Sequence, residues 1–195
     1  MSRFVLATAN EHKADEIRRV LEVFDVELLA RPVNVPAADE TEETLEGNAL
    51  LKARAVTSAT GDAAIADDTG LFVDALDGRP GVYSARYAGE NASYDDNVVK
   101  LLGELDGVDE AQRSARFRSV IAVTYPDGAS WWVEGVLEGA ILTSPRGRGG
   151  FGYDPVFAPS TLSGASLAEL APEEKDAISH RGRALRALAE RLSIS

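Results

Sequence analysis

Apolar positions in the first half of the chain alternate between strand-like runs and helix-like spacings. Phe4, Val5 and Leu6 form a continuous apolar run within residues 3–8, which predicts a short buried strand. Asn10 follows, and then Ile17, Val20, Leu21 and Phe24 recur on one helical face, predicting a helix capped by Asn10 and running to about residue 24. Residues 26–30 read as a second strand, and residues 31–39, with two prolines, read as a loop. Thr41 or Thr44 starts a second helix that runs to about residue 60, and residues 63–66 form a short buried strand. Asp77-Gly78-Arg79-Pro80-Gly81 is a turn cluster, and Ser93 caps a helix reaching about residue 105. Residues 116–125 and 129–142 predict two antiparallel strands joined at Pro126-Asp127-Gly128. Residues 144–153 are glycine-rich, and Ser179 caps a last helix to about residue 192 with Leu185, Leu188 and Leu192 turned inward.

Helices alternating with strands early and a hairpin late predict an α/β fold, with helices flanking a mixed β-sheet. In such folds a ligand lies in a cleft at the strand ends. A chain of 195 residues suits a single domain across residues 1–195, built as one body or as two close-packed lobes. The absence of cysteine excludes disulfides, thiolate chemistry and cysteine–zinc sites. Apolar runs fall far short of a membrane span, and Arg3 interrupts any leader-like segment, so the expected location is the cytoplasm. A net charge of -12 disfavours nucleic acid, which needs basic stripes. It leaves room for one small anion held by local basic groups, backbone N–H groups and a metal.

Six segments carry polar chemistry, and each also has a plain structural reading. Thr8-Ala9-Asn10-Glu11-His12-Lys13 joins the first strand to the first helix. A helix N-terminus offers N–H groups and partial positive charge, to which Thr8, Asn10 and Lys13 add hydrogen bonds and a full charge, so the segment suits a phosphate. As plain structure it is an N-cap beside a solvated lysine. Asp39, Glu40, Glu42, Glu43 and Glu46 suit Mg²⁺, which takes one or two carboxylates besides water and phosphate oxygens. They equally suit an acidic helix start. Asp67 and Asp68, expected just past the end of a buried strand, are costly there unless solvated, paired or metal-bound. Alternation along a strand sends them to opposite faces, so one can enter the cleft as a base while the other supports the loop. The loop of residues 78–89 offers Arg86 for a phosphate or for an internal ion pair. In residues 146–155 the glycines admit a ligand close to the backbone, and Phe151 can stack on a base or pack inward with Tyr153. Lys175, His180 and Arg181 put basic groups around the start of the last helix.

Taken together, these segments resemble the inosine triphosphate pyrophosphatase family from Phe4 to about Leu192. The blocks ATANEHKADEI, ADDTGLFVDALDGRPGVYSARYAG, GGFGYDPVF and EEKDAISHRGRAL occur in that family's order and spacing. The resemblance implies two lobes around a central nucleotide-binding cleft, a Mg²⁺ cofactor and a homodimer. It implies Asp68 as general base and metal ligand, Glu40 as a second metal ligand, and the segment Thr8, Ala9, Asn10, Glu11, His12 and Lys13 as triphosphate contacts. Thr69 matches a substrate hydroxyl position. Phe151, Gly152, Tyr153 and Asp154 match base-pocket residues, and Lys175, His180 and Arg181 match the remaining substrate contacts. The chain departs from the family in having Ala9 for glycine, Gly47 for an acidic residue and Thr69 for serine.

The activity so implied is hydrolysis of inosine, deoxyinosine and xanthosine triphosphates to the monophosphate and pyrophosphate. Water attacks the α-phosphorus, and the leaving pyrophosphate needs positive charge. Two other functions are weighed: a pyrophosphatase for modified pyrimidine triphosphates, and a non-catalytic nucleotide-binding regulator. The carboxylate pair speaks against the regulator, because a plain phosphate binder gains nothing from it without a metal.

Overall fold

Strand β1 (Ser2–Leu6) carries the first apolar run, and Phe4, Val5 and Leu6 are all buried. The computed structural model describes residues 2–194. Helix α1 (Glu11–Leu21) is capped by Asn10 and buries Ala14, Glu16, Ile17 and Leu21 on one side. It stops before Phe24, because the chain tightens through Phe24 N–H donating to Leu21 C=O before entering β2 (Val26–Leu29). β2 runs parallel to β1. Helix α2 (Leu45–Thr60) starts after Thr44, whose side chain accepts from Gly47 N–H, and ends at Gly61 with φ 73°.

Strand β3 (Ala64–Val73) lies parallel to β1 on its other side and is ten residues long. The strand continues through Asp67 and Asp68 rather than ending before them, which corrects the expected boundary at residue 66. Both carboxylates therefore sit inside a buried strand, where ion pairs offset their desolvation. Gly70 lets β4 (Pro80–Gly81) pair antiparallel with β3, since a Cβ at Gly70 would press into the Gly81 carbonyl.

Helix α3 (Tyr94–Glu104) begins with a capping box between Ser93 and Asp96. Strands β5 (Ser114–Thr124) and β6 (Ser130–Ile141) are neighbours joined by a tight turn in which Tyr125 N–H donates to Ala129 C=O. β7 (Phe157–Pro159), α4 (Pro172–Ile178) and α5 (His180–Ile194) complete the chain, with β7 antiparallel to β6. The sheet order is β2-β1-β3-β5-β6-β7, with β4 beside β3, so the sheet is mixed as the alternation of elements implies. β7 and α4 escape the sequence pattern because three and seven residues are too few to show a period.

The chain divides into two compact units. The first comprises the chain up to Asp68, Ser119–Gly135 and the chain from His180 onward. Its core joins Phe4, Leu6, Ile17, Leu21, Ile121 and Leu188. The second comprises Thr69–Arg118 and Val136–Ser179, around Leu71, Leu101, Phe117, Val156 and Phe157. Among the described residues, no helix is long and apolar enough to cross a membrane.

Candidate active site

In the first unit the turn from β1 into α1 is built by short polar side chains. Thr8 Oγ1 accepts from Asn10 N–H at 3.2 Å, and Asn10 Oδ1 accepts from Lys13 N–H at 3.3 Å. This cap fixes the start of α1 and sends the Lys13 side chain to Asp67 Oδ2, at 3.0 Å. Ala9, Glu11 and His12 are exposed along the same turn. Ala9 has no left-handed backbone, so its substitution for glycine carries no strain there.

Alternation along β3 gives the two aspartates separate cationic partners. Asp67 is fully buried between Lys13 and Arg181, whose Nε and Nη2 each lie 3.3 Å from Oδ2. Arg181 also pairs with Glu16 of α1. Burial opposes ionisation of Asp67, but Lys13, Arg181 and Lys52 together hold its carboxyl well below the usual range. Asp68 meets Lys52 Nζ of α2 at 2.6 Å through Oδ1, and the same ammonium reaches Glu40 Oε1 at 3.1 Å. Here burial is the larger effect and raises the Asp68 carboxyl despite Lys52. For Lys52, burial opposes the charge, yet Asp68, Asp67 and Glu40 keep it cationic. Asp68 Oδ2 is buried with no hydrogen-bond partner among the described residues.

That oxygen makes the donor set fit a hard divalent cation. Mg²⁺ takes one or two carboxylates and leaves its other positions to water and phosphate, and Asp68 with Glu40 supplies that number. No group of three or more candidate ligands occurs among the described residues. Gly47 contributes no carboxylate, and a side chain there would collide with Glu42.

In the second unit the glycine-rich segment folds around Asp154. Its Oδ2 accepts from Phe151 N–H at 2.8 Å and from Lys175 Nζ at 2.6 Å. Gly150, with φ 67°, lies where a Cβ would strike the Asp154 carboxylate. The Lys175 ammonium stands 4.7 Å from the Phe151 ring centroid. Tyr153 is in the apolar core, and its hydroxyl donates to Ser84 C=O at 2.9 Å. Thr69 is half-buried on β3, and Gly152 has φ 64°.

Residues 4–191 match the family model described as Ham1 family. The chain belongs to the Ham1 family. It is 50% identical over 194 residues to a dITP/XTP pyrophosphatase of Geobacter sulfurreducens, covering 98% of this chain and 97% of that one. It is 45% identical to a dITP/XTP pyrophosphatase of Bacillus subtilis, covering 98% of each. The solved structure of a HAM1 protein from Coxiella burnetii superposes with a TM-score of 0.91 at 41% identity, over 100% of both chains.

In this Ham1 chain the structure brings Lys13, Glu40, Asp67, Asp68 and Arg181 into one charged group, and Phe151, Asp154 and Lys175 into another. Arg181, expected as a substrate contact, is buried in ion pairs. Its side chain is 2% exposed and spent on Asp67 and Glu16, so its charge acts on Asp67. His180 is buried at the start of α5, where Gly135 lets the helix approach β6: a Cβ there would collide with the His180 carbonyl. Arg86 faces the exposed Glu90 at 3.5 Å. Two residues of the charged group were missed from sequence, Lys52 and Glu16. Each interrupts the buried face of a helix, Lys52 beside Asn48, Ala49, Ala53 and Val56, and Glu16 beside Ile17. A charge on a buried stripe was the available signal.

Proposed function

We propose that this chain hydrolyses deaminated purine nucleoside triphosphates, such as inosine and xanthosine triphosphates, to the monophosphate and pyrophosphate. The observation that carries the reading is Asp68. It combines a buried oxygen lacking a partner with a carboxyl that burial makes more basic, the direction that favours accepting a proton. The relatives named dITP/XTP pyrophosphatase support the substrate class.

The Asp68 carboxylate orients a water and accepts its proton as the water oxygen attacks the α-phosphorus and pyrophosphate leaves. Lys13, Lys52 and the N-terminal end of α1 supply positive charge for the phosphates. A magnesium ion held by Asp68 and Glu40 would neutralise phosphate charge and stabilise the leaving pyrophosphate. The resemblance assigns the base to Phe151, whose ring is held by Lys175 and by the bond of its N–H to Asp154. A homodimer and a cytoplasmic location belong to the same reading, supported by the resemblance and by the composition.

The test is pyrophosphate release from inosine, xanthosine, adenosine and guanosine triphosphates, and from modified pyrimidine triphosphates, each with and without Mg²⁺. Rapid magnesium-dependent release from the first two is expected. Release confined to pyrimidines, or binding without turnover, overturns the reading.

A further inference from the structure

Phe151 and Tyr94 are among the aromatic rings of the second unit that stand outside its apolar core. Tyr94 opens α3 and shares a helical face with Asn97, Val98 and Leu101, the buried side of that helix. The face runs on one turn past the core, so the Tyr94 ring meets Phe151 instead. The ring centroids are 5.8 Å apart with planes tilted by 42°. That separation falls within the range of productive aromatic pairs. Tyr94 remains 38% exposed, so burial accounts for only part of its placement.

We propose that Tyr94 is a specificity residue whose ring extends the Phe151 surface so that a two-ring purine gains contact that a one-ring pyrimidine does not reach. The proposal rests on the reading of Phe151 as the base contact. Lys175 and the backbone bond to Asp154 hold Phe151, and the capping box of Ser93 and Asp96 holds the first turn of α3, so both rings have fixed mounts. The tilt keeps the two rings from stacking flat on each other. A purine lying against Phe151 then finds the Tyr94 ring along its far edge. The contact belongs to the ring and needs no hydroxyl.

The experiment measures kcat and KM for inosine and uridine triphosphates, with tripolyphosphate as a competitive inhibitor lacking a base. The variants are Tyr94→Ala, Tyr94→Phe, Phe151→Ala and the surface control Val99→Ala. Tyr94→Ala should raise KM for inosine triphosphate about two- to tenfold, the scale of one aromatic contact. It should leave kcat, the uridine triphosphate KM and tripolyphosphate inhibition unchanged. Tyr94→Phe and Val99→Ala should match the unaltered protein. A raised KM in Phe151→Ala with none in Tyr94→Ala overturns the role of Tyr94 and leaves the base contact standing. No change in either variant overturns both. A parallel loss of tripolyphosphate inhibition, or a Tyr94→Phe variant resembling Tyr94→Ala, also overturns the ring contact.

Discussion

Asp67 and Asp68 are adjacent in sequence, and their carboxyls shift in opposite directions. Lys13, Arg181 and Lys52 lower Asp67, while burial raises Asp68. Asp68→Asn should cut kcat by about 10²–10⁴ while nucleotide binding stays measurable, the scale expected for a lost general base. Steady-state kinetics at saturating Mg²⁺ check this, and a variant keeping half the rate removes Asp68 from the chemistry. Lys13→Ala should raise KM and lower kcat together, because a cation is lost beside the α1 N-terminus. Unchanged constants would place Lys13 in a purely structural pair with Asp67. Arg181→Ala has a different outcome. It strips buried Asp67 and Glu16 of a shared partner, and breaking such a pair costs about 3–5 kcal/mol. Denaturant unfolding should show a larger loss for Arg181→Ala than for Lys13→Ala, and equal losses would contradict the assignment.

At the scale of elements, close contacts and turns decide where helices begin. Gly135 on β6 lies under the start of α5, against the His180 carbonyl and Ala184 nitrogen. Backbone atoms cannot rotate out of the way, so Gly135→Ala should destabilise by about 1–3 kcal/mol, as overpacking does. Calorimetry checks it, and an unchanged Tm would mean that the helix shifts freely. Tyr87 ties the loop after β4 to α3, its hydroxyl donating to Glu104 at 2.7 Å. Burial, with that bond, pushes its phenol up from 10.0 to about 12. The stability it contributes is complete below pH 10 and is lost as pH rises from 10 through about 12. Tyr87→Phe should flatten that alkaline loss, and a pH series of unfolding free energies that keeps the same slope would disprove it. Helix caps at Asn10, Thr44 and Ser93 were legible in the sequence because each is a short polar residue just ahead of a periodic stretch. The length of β3 was not legible, because an acidic pair reads as the end of a strand until its partners, Lys13, Lys52 and Arg181, arrive from distant helices.

For the molecule as a whole, the excess of 32 acidic over 20 basic residues is the dominant electrostatic fact. Like charges repel in the folded state, and salt screens them, with a Debye length of about 10 Å at 0.1 M. Thermal stability should rise as neutral salt increases from low ionic strength, and a falling Tm would show that paired charges outweigh the net repulsion. The sequence by itself determined the class of fold, the order of most elements and the family, because periodicity, caps and ordered motifs are local. It also placed Lys13, Asp68, Phe151 and Lys175 in chemically meaningful segments. Only the tertiary structure decided that the two aspartates shift in opposite directions, that Lys52 bridges Glu40 and Asp68, and that Arg181 turns inward to Asp67 and Glu16. Those assignments depend on which charges burial brings within a few ångströms, and Arg181 stands 114 residues from Asp67 along the chain.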